Sequence, residues 1–323
     1  GRIDAGIAAG TESFSDIPLR LSQKIRRAAM KLRQNSSAGN VLKLLGSLRP
    51  KDLVPVMPTG TDFTTGKVMG VCAEAMVKKF HVRREDCDAF TVRSHALAVK
   101  AQQAGHFSDV VIPVHIPELN TTVTADDTPR ADCTLERVRG MKPIFDKKAG
   151  AITAAGSSRF TDGAAALLVT SAAAAKRMGL KPKAVVLDYQ LAGVKDLHTE
   201  MLLGPAVSIP TLLQRNGLSM ADIDVWELHE AFAAQILANL NCMQHTEFAD
   251  EYYGGTVPGA LPLEKLNAWG GSLSLGNPFA ATGIRLLTTA ADRLIVEGKR
   301  YAVVSSCAGG GLGAAILLEN TTT

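Results

Sequence analysis

From Lys183 onward, apolar runs of strand length alternate with segments of helical period, and this alternation limits the fold more than anything else in the chain. Strands are expected at 183–191, 223–228, 301–306 and 313–318, and helices at 208–216, 230–242 and 279–297. Such alternation argues for an α/β architecture. The part before about residue 172 reads differently. It offers a short buried strand around Ala5 to Ala9 and a continuously apolar strand from Ala164 to Thr170. Ala151 to Ala154 lies on the other side of an Asp162-Gly163 turn. Two strands make no stable sheet alone. The sheet to which they belong is therefore expected to lie mostly outside these 323 residues, and Gly1, read as the end of a helix, points the same way. Helices fill the interval. Ile25, Ala28, Ala29 and Leu32 recur at helical spacing, as do Val41, Leu44, Leu45 and Leu48, with a break at 35–39. Two further helices are expected across 71–104, followed by an irregular polar stretch from Pro117 to Arg137.

Scarce aromatics and abundant Ala and Gly suit closely packed layers of helix on sheet, and 323 residues suffice for two or more domains. The five cysteines are an odd number with no CxxC pair, which is the pattern of reduced thiols in an intracellular compartment. The seven histidines show neither HExxH nor a Cys/His cluster, so no metal site is expected. No run approaches the roughly 18 apolar residues of a membrane span. No cleavable leader and no C-terminal targeting tripeptide is visible either. The net charge of +4 conceals an asymmetry: Ile17 to Lys51 holds nine basic residues and no acid, so the remainder is net acidic. That segment reads either as a solvated charged face or as interfacial helices on anionic lipid, with Arg26, Arg27 and Lys31 as membrane contacts. Nucleic acid is disfavoured because no aromatic residue is interleaved with the charges.

Four constellations can carry chemistry. The first is Glu227-Leu228-His229-Glu230-Ala231-Phe232-Ala233, where a strand feeds a helix. A histidine there can polarise a carbonyl or hold a water, or it can simply satisfy a buried helix end. The second runs from Trp269-Gly270-Gly271-Ser272 through Gly276-Asn277-Pro278 into the longest C-terminal helix. Its glycines permit close backbone approach, or make an ordinary turn. In the third, Ser305-Ser306-Cys307-Ala308-Gly309-Gly310-Gly311, a thiol sits beside exposed backbone N–H groups and could carry a proton near an oxyanion site. A buried inert thiol is the alternative. No dinucleotide loop is present, because no helix follows with the required spacing. The fourth is Gly150 to Ala164, which alone is only a turn into a strand.

Together, in this order and spacing, the four resemble the thiolase superfamily over essentially the whole chain. The HEAF form at His229 to Phe232, with Leu203-Gly204-Pro205 and Asn267 to Ser272, resembles the branch that works in mitochondrial fatty-acid oxidation. The resemblance implies the layered αβαβα thiolase fold with two similar halves. Residues 1–16 and 150–171 would be remnants of the first half, 17–149 a helical loop domain with the basic hairpin at 17–51, and 172–323 the second half. It also implies thiolytic cleavage of a 3-ketoacyl-CoA, with coenzyme A as substrate and no cofactor. His229 would help form the oxyanion hole for the acetyl-CoA enolate, Cys307 would shuttle its proton, and Gly309 N–H would serve the second oxyanion hole. Ser158 and Met201 would lie along the pantetheine arm, with Ala231 and Phe232 lining the pocket. A homo-oligomer, a hydratase/dehydrogenase α-subunit partner and a matrix location at the inner mitochondrial membrane follow from the same resemblance.

Three departures qualify it. The family's nucleophilic cysteine lies on a segment just before the one that begins here at Gly1, and Cys72, Cys87, Cys133 and Cys242 sit in no matching motif. Asn277 stands where the family has a histidine; it can donate a hydrogen bond but takes no proton at neutral pH. Gly156 stands where the family has an asparagine. A working thiolase is therefore weighed against a catalytically impaired subunit with a scaffolding or membrane-docking role.

Overall fold

The computed structural model describes residues 3–34, 37–56 and 60–321. Gly1 and the first two residues of the 35–39 break lie outside them. The chain divides into two compact units, Gly1–Glu12 with Thr61–Thr323, and Ser13–Gly60.

The larger unit opens with β1 (Ala5–Glu12), and the smaller unit holds α1 (Gln23–Gln34), α2 (Ala38–Ser47) and the short α3 (Pro50–Leu53). In the smaller unit Ser37 caps α2 by accepting from Asn40 N–H, and Arg20 and Val56 exchange backbone hydrogen bonds of 3.3 and 2.7 Å. Lys24 reaches the Ser47 carbonyl and Asp52. Its α1 half-buries Ile25, Ala28 and Leu32, and exposes Arg26, Arg27 and Lys31.

The larger unit continues with α4 (Met69–Lys79), α5 (Arg84–Gln103), the hairpin β2 (Val114–Ile116) and β3 (Thr121–Val123), α6 (Leu135–Arg139), β4 (Gly163–Thr170) and α7 (Ala172–Arg177). Then follow β5 (Ala184–Gly193), α8 (Gly204–Arg215), β6 (Val225–Leu228), α9 (Ala233–Cys242), α10 (Thr246–Tyr253), α11 (Ser272–Leu275), α12 (Phe279–Val296), β7 (Tyr301–Ala308) and β8 (Leu312–Asn320). The main sheet has the order β5-β8-β7-β6. Its first two pairings are antiparallel, and β6 runs parallel to β7. All four residues of β6 are buried, as expected of a parallel strand covered on both faces. The core joins Trp226, Leu228, Met201 and Leu212 to Met76 of α4, with a second cluster where Leu286, Ala290 and Leu294 of α12 meet β7 and β8.

The expected strands and helices of the second half are present with shifted ends. The helix expected at 208 begins at Gly204, because Pro205 occupies the first turn, where its missing N–H costs nothing. The close start has a further cause: a Cβ on Gly313 of β8 would lie 2.3 Å from the Gly204 carbonyl carbon, so helix and strand touch backbone to backbone. The expectation of a buried strand at Ala5 to Ala9 is corrected. β1 pairs in antiparallel register with β4, Ala5 opposite Thr170, and Ile7 remains 75% exposed. One face of the pair packs on α12, and Gly10 lies against the Ala280 carbonyl. Residues 151–154 form no strand. The Glu74 carboxylate instead takes the N–H groups of Ala151 and Ile152, at 3.1 and 3.0 Å.

Candidate functional site

The site is assembled where β6 and β7 end. Their parallel register sets Leu228 beside Ser305, and His229 N–H donates to the Ser305 carbonyl at 2.9 Å. His229 thus leaves the sheet next to the stretch that reaches Cys307 two residues later. Residues 156–160 join from the other side. Ser158 N–H donates to the Ala231 carbonyl, Ala233 N–H to the Gly156 carbonyl and Asn277 N–H to the Arg159 carbonyl, each at 2.9 Å. The four motifs separated in sequence therefore meet in one place, laced by backbone hydrogen bonds that hold position with little freedom.

His229 is 6% exposed, and its Nδ1 lies 2.8 Å from the Ser272 hydroxyl. Ser272 in turn accepts a 2.8 Å hydrogen bond from Arg285 Nη2. Burial, with the Arg285 guanidinium adding to it, pushes the His229 imidazolium down to about 3. At neutral pH the ring is uncharged, so it can donate a hydrogen bond to a developing oxyanion without acting as a cation.

Cys307 is buried, and that burial pushes its thiol up to about 12. It rests as a protonated thiol. The chain then turns through exposed Gly309, with Gly310 and Gly311 at φ +82° and +74°, backbone that side chains rarely adopt. Asp62 is held below the usual carboxylate range by the N–H of Thr65, with Gly310 N–H contributing, so this turn is tied to the start of the larger unit's second segment.

Asn277 is 5% exposed. The Thr282 hydroxyl donates to its Oδ1 at 2.8 Å, and its Nδ2 donates to the Ser158 hydroxyl at 3.3 Å. The amide thus positions Ser158 while offering no titratable proton. Phe232 packs edge-on against Phe145, with ring centroids 6.0 Å apart, and Ala231 lies just before it, nearly buried. Met201 is fully buried in the core ahead of α8. Gly156 N–H is taken by the Thr153 hydroxyl at 3.1 Å. Arg26, Arg27 and Lys31 belong to the smaller unit.

Several supporting residues escaped the sequence reading. The buried Glu230 carboxylate accepts from Asn267 Nδ2 at 2.6 Å, Ser94 Oγ at 2.7 Å and Leu273 N–H at 3.1 Å, binding the HEAF loop to the glycine-rich loop and α5. Burial pushes its carboxyl above the usual carboxylate range, and these donors oppose the rise. A Cβ on Gly271 would lie 2.1 Å from that carboxyl carbon, which accounts for a glycine there. Glu227 forms a fully buried ion pair with Arg293, at 2.8 Å. The available signal was the pair of arginines, Arg285 and Arg293, eight residues apart in a helix rich in Ala, Leu and Ile. Among the described residues, no group of three or more His, Cys, Asp or Glu is placed to hold a metal ion.

Comparison with known proteins bears on this geometry. The family described as "Thiolase, N-terminal domain" matches residues 1–173, and "Thiolase, C-terminal domain" matches 180–320. The mouse mitochondrial trifunctional enzyme subunit beta is 44% identical over 320 residues, covering 99% of this chain and 66% of the relative. A 3-ketoacyl-CoA thiolase of Colwellia psychrerythraea is 41% identical, covering 99% of this chain and 73% of the relative. Among solved structures, acetyl-CoA acetyltransferase from Syntrophomonas wolfei superposes with a TM-score of 0.80 at 30% identity, over 99% of this chain and 73% of that one. Human mitochondrial 3-ketoacyl-CoA thiolase does so with a TM-score of 0.79 at 27% identity, over 99% and 72%. The chain spans about two thirds of the length of the curated relatives it matches.

Proposed function

The chain belongs to the thiolase family and has its α/β fold, and from that premise we propose that it acts in thiolysis of a 3-ketoacyl-CoA in fatty-acid β-oxidation. Coenzyme A is the second substrate, and acetyl-CoA and a shortened acyl-CoA are the products. One observation carries the proposal: the His229 N–H to Ser305 hydrogen bond sets a neutral imidazole beside the segment bearing a protonated thiol and a glycine turn. His229 binds the enolate oxygen of the departing acetyl-CoA, Cys307 delivers a proton to the enolate carbon, and Gly309 N–H faces the acyl thioester oxygen. Ser158, oriented by Asn277, borders the pantetheine arm with Met201 behind it, and Ala231 and Phe232 line the pocket. The acyl group must pass through a cysteine thiolate. Cys87 is unsuited, since burial pushes its thiol up to about 12, and burial likewise raises Cys242 well above the usual thiol range. Mixing the protein with a medium- or long-chain 3-ketoacyl-CoA and coenzyme A should yield acetyl-CoA. No turnover above background would sink this reading.

Asn277 favours a second reading, a catalytically impaired subunit with a scaffolding or membrane-docking role, because the position lacks a proton acceptor. On either reading we place the protein in mitochondria, as the names of its animal relatives suggest. We further propose a homo-oligomer with a hydratase/dehydrogenase α-subunit beside it. The division into 1–16 with 150–171, 17–149 and 172–323 belongs to the same proposal. The exposed Arg26, Arg27 and Lys31 of α1 support docking on anionic lipid, although no helix among the described residues is long and apolar enough to cross a membrane. Cosedimentation with cardiolipin-containing liposomes should weaken as salt rises; salt-insensitive or absent binding counts against docking.

A further inference from the structure

Ser272 is completely buried, and its hydroxyl has two partners among the described residues, His229 Nδ1 and Arg285 Nη2, each at 2.8 Å. A guanidinium only donates, so the serine oxygen accepts from Arg285. The hydroxyl still carries one proton, and among the described residues the only acceptor in reach is Nδ1. Were Nδ1 itself protonated, two donors would converge on one oxygen, and a buried O–H would be left without a partner. The imidazole proton is thereby forced onto Nε2, which makes no hydrogen bond among the described residues.

From this geometry we infer that Ser272 and Arg285 are positioning residues that hold His229 as the neutral Nε2–H tautomer, aimed as a hydrogen-bond donor at the oxyanion.

A second observation stands behind it. Among the described residues Arg285 Nε and Nη1 are buried without partners, and Ser272 is the one hydrogen-bonded contact of the guanidinium. Buried, unpaired donors are costly, and a structural arginine would normally be better satisfied. Its charge is felt instead at the imidazole, where it disfavours the cation. The carboxylates that face Arg285 electrostatically are Glu227 of β6, Glu230 of the HEAF loop and Asp126, while Arg285 is the charged group that bears on His229. In that arrangement Ser272 chooses the tautomer, and burial with the Arg285 charge added to it suppresses protonation. The result is a donor with a fixed direction that needs no reorganisation when charge develops.

The inference rests on His229 serving the oxyanion in the proposed thiolysis, but its main readout does not depend on turnover. Deuterated protein carrying 15N-histidine gives long-range proton–nitrogen correlations, and the His229 signals are those missing in His229→Gln. The proton is expected on Nε2, with Nδ1 as acceptor. A proton on Nδ1, or an even mixture, overturns the inference whether or not the enzyme turns over. The Nε2–H tautomer without turnover leaves the inference standing and sinks the thiolase reading. Ser272→Ala should give mixed tautomers and lower kcat about tenfold with little change in KM, a fraction of the roughly 10²–10³-fold lost when an oxyanion donor is deleted. Unchanged tautomer and unchanged kcat in that variant refute the role of Ser272. Arg285→Met should raise the pH at which His229 protonates, and Arg285→Lys should restore the wild-type midpoint. A midpoint that both variants leave in place refutes the role of Arg285.

Discussion

Acid should unfold this protein partly through one residue. The His229 imidazole is held near 3 in the folded chain, against an ordinary value of 6.5. Between those limits the unfolded chain binds a proton there that the folded chain refuses, so lowering pH favours unfolding. The stability is fully present above 6.5 and is lost as pH falls toward 3. The slope is about 1.4 kcal/mol per pH unit, and near pH 5 the loss reaches about 2 kcal/mol. His229→Gln removes the titrating group while leaving a polar side chain within reach of Ser272. Urea unfolding followed by the fluorescence of Trp226 and Trp269, both buried, reports the transition. Wild type should lose about 2 kcal/mol more than the variant between about pH 7 and pH 5. The buried Glu230 carboxyl, raised by burial, titrates with the opposite sign, and it cancels because both proteins carry it. Equal losses in the two proteins would refute the claim that the imidazole is buried and neutral.

Two further changes test the surroundings of the site. Asn277→His would place a proton acceptor between Ser158 and Thr282, and if thiolysis is limited by the missing base, kcat should rise by about 10²-fold, measured as acetyl-CoA formed. No gain would indicate that Asn277 is not what limits turnover. Arg293→Met strands the buried Glu227 carboxylate and should cost about 3–5 kcal/mol in denaturant unfolding. Adding Glu227→Gln should recover much of that loss, and failure to do so would mean that Arg293 acts through its contacts with Lys265 and Glu297 instead.

Much of the second half was legible because each element there obeys a single local rule. Apolar runs ending at Leu228 and Ala308 make buried strands, and the apolar stripe of α12 makes a helix whose Leu286, Ala290 and Leu294 face the sheet. The position of His229 at a strand end followed from that pattern. What misled was burial and pairing at a distance. Ile7 looked buried by composition, yet among the described residues β1 has only β4 beside it and α12 on one face. At Ala151 a carboxylate 77 residues away takes the N–H, a pairing that no local pattern announces.

The residues themselves determined the α/β class, the order of the motifs and the chemical type of each candidate group, because periodicity and side-chain chemistry are local properties. Only the tertiary structure decided that His229 is neutral, that Asn277 orients Ser158, and that Glu230, Ser272 and Arg285 stand behind the site. Each of those depends on burial and on partners brought from distant segments. The desolvation that shifts an ionisation, and the single acceptor left for a buried proton, exist only once the chain has closed around them.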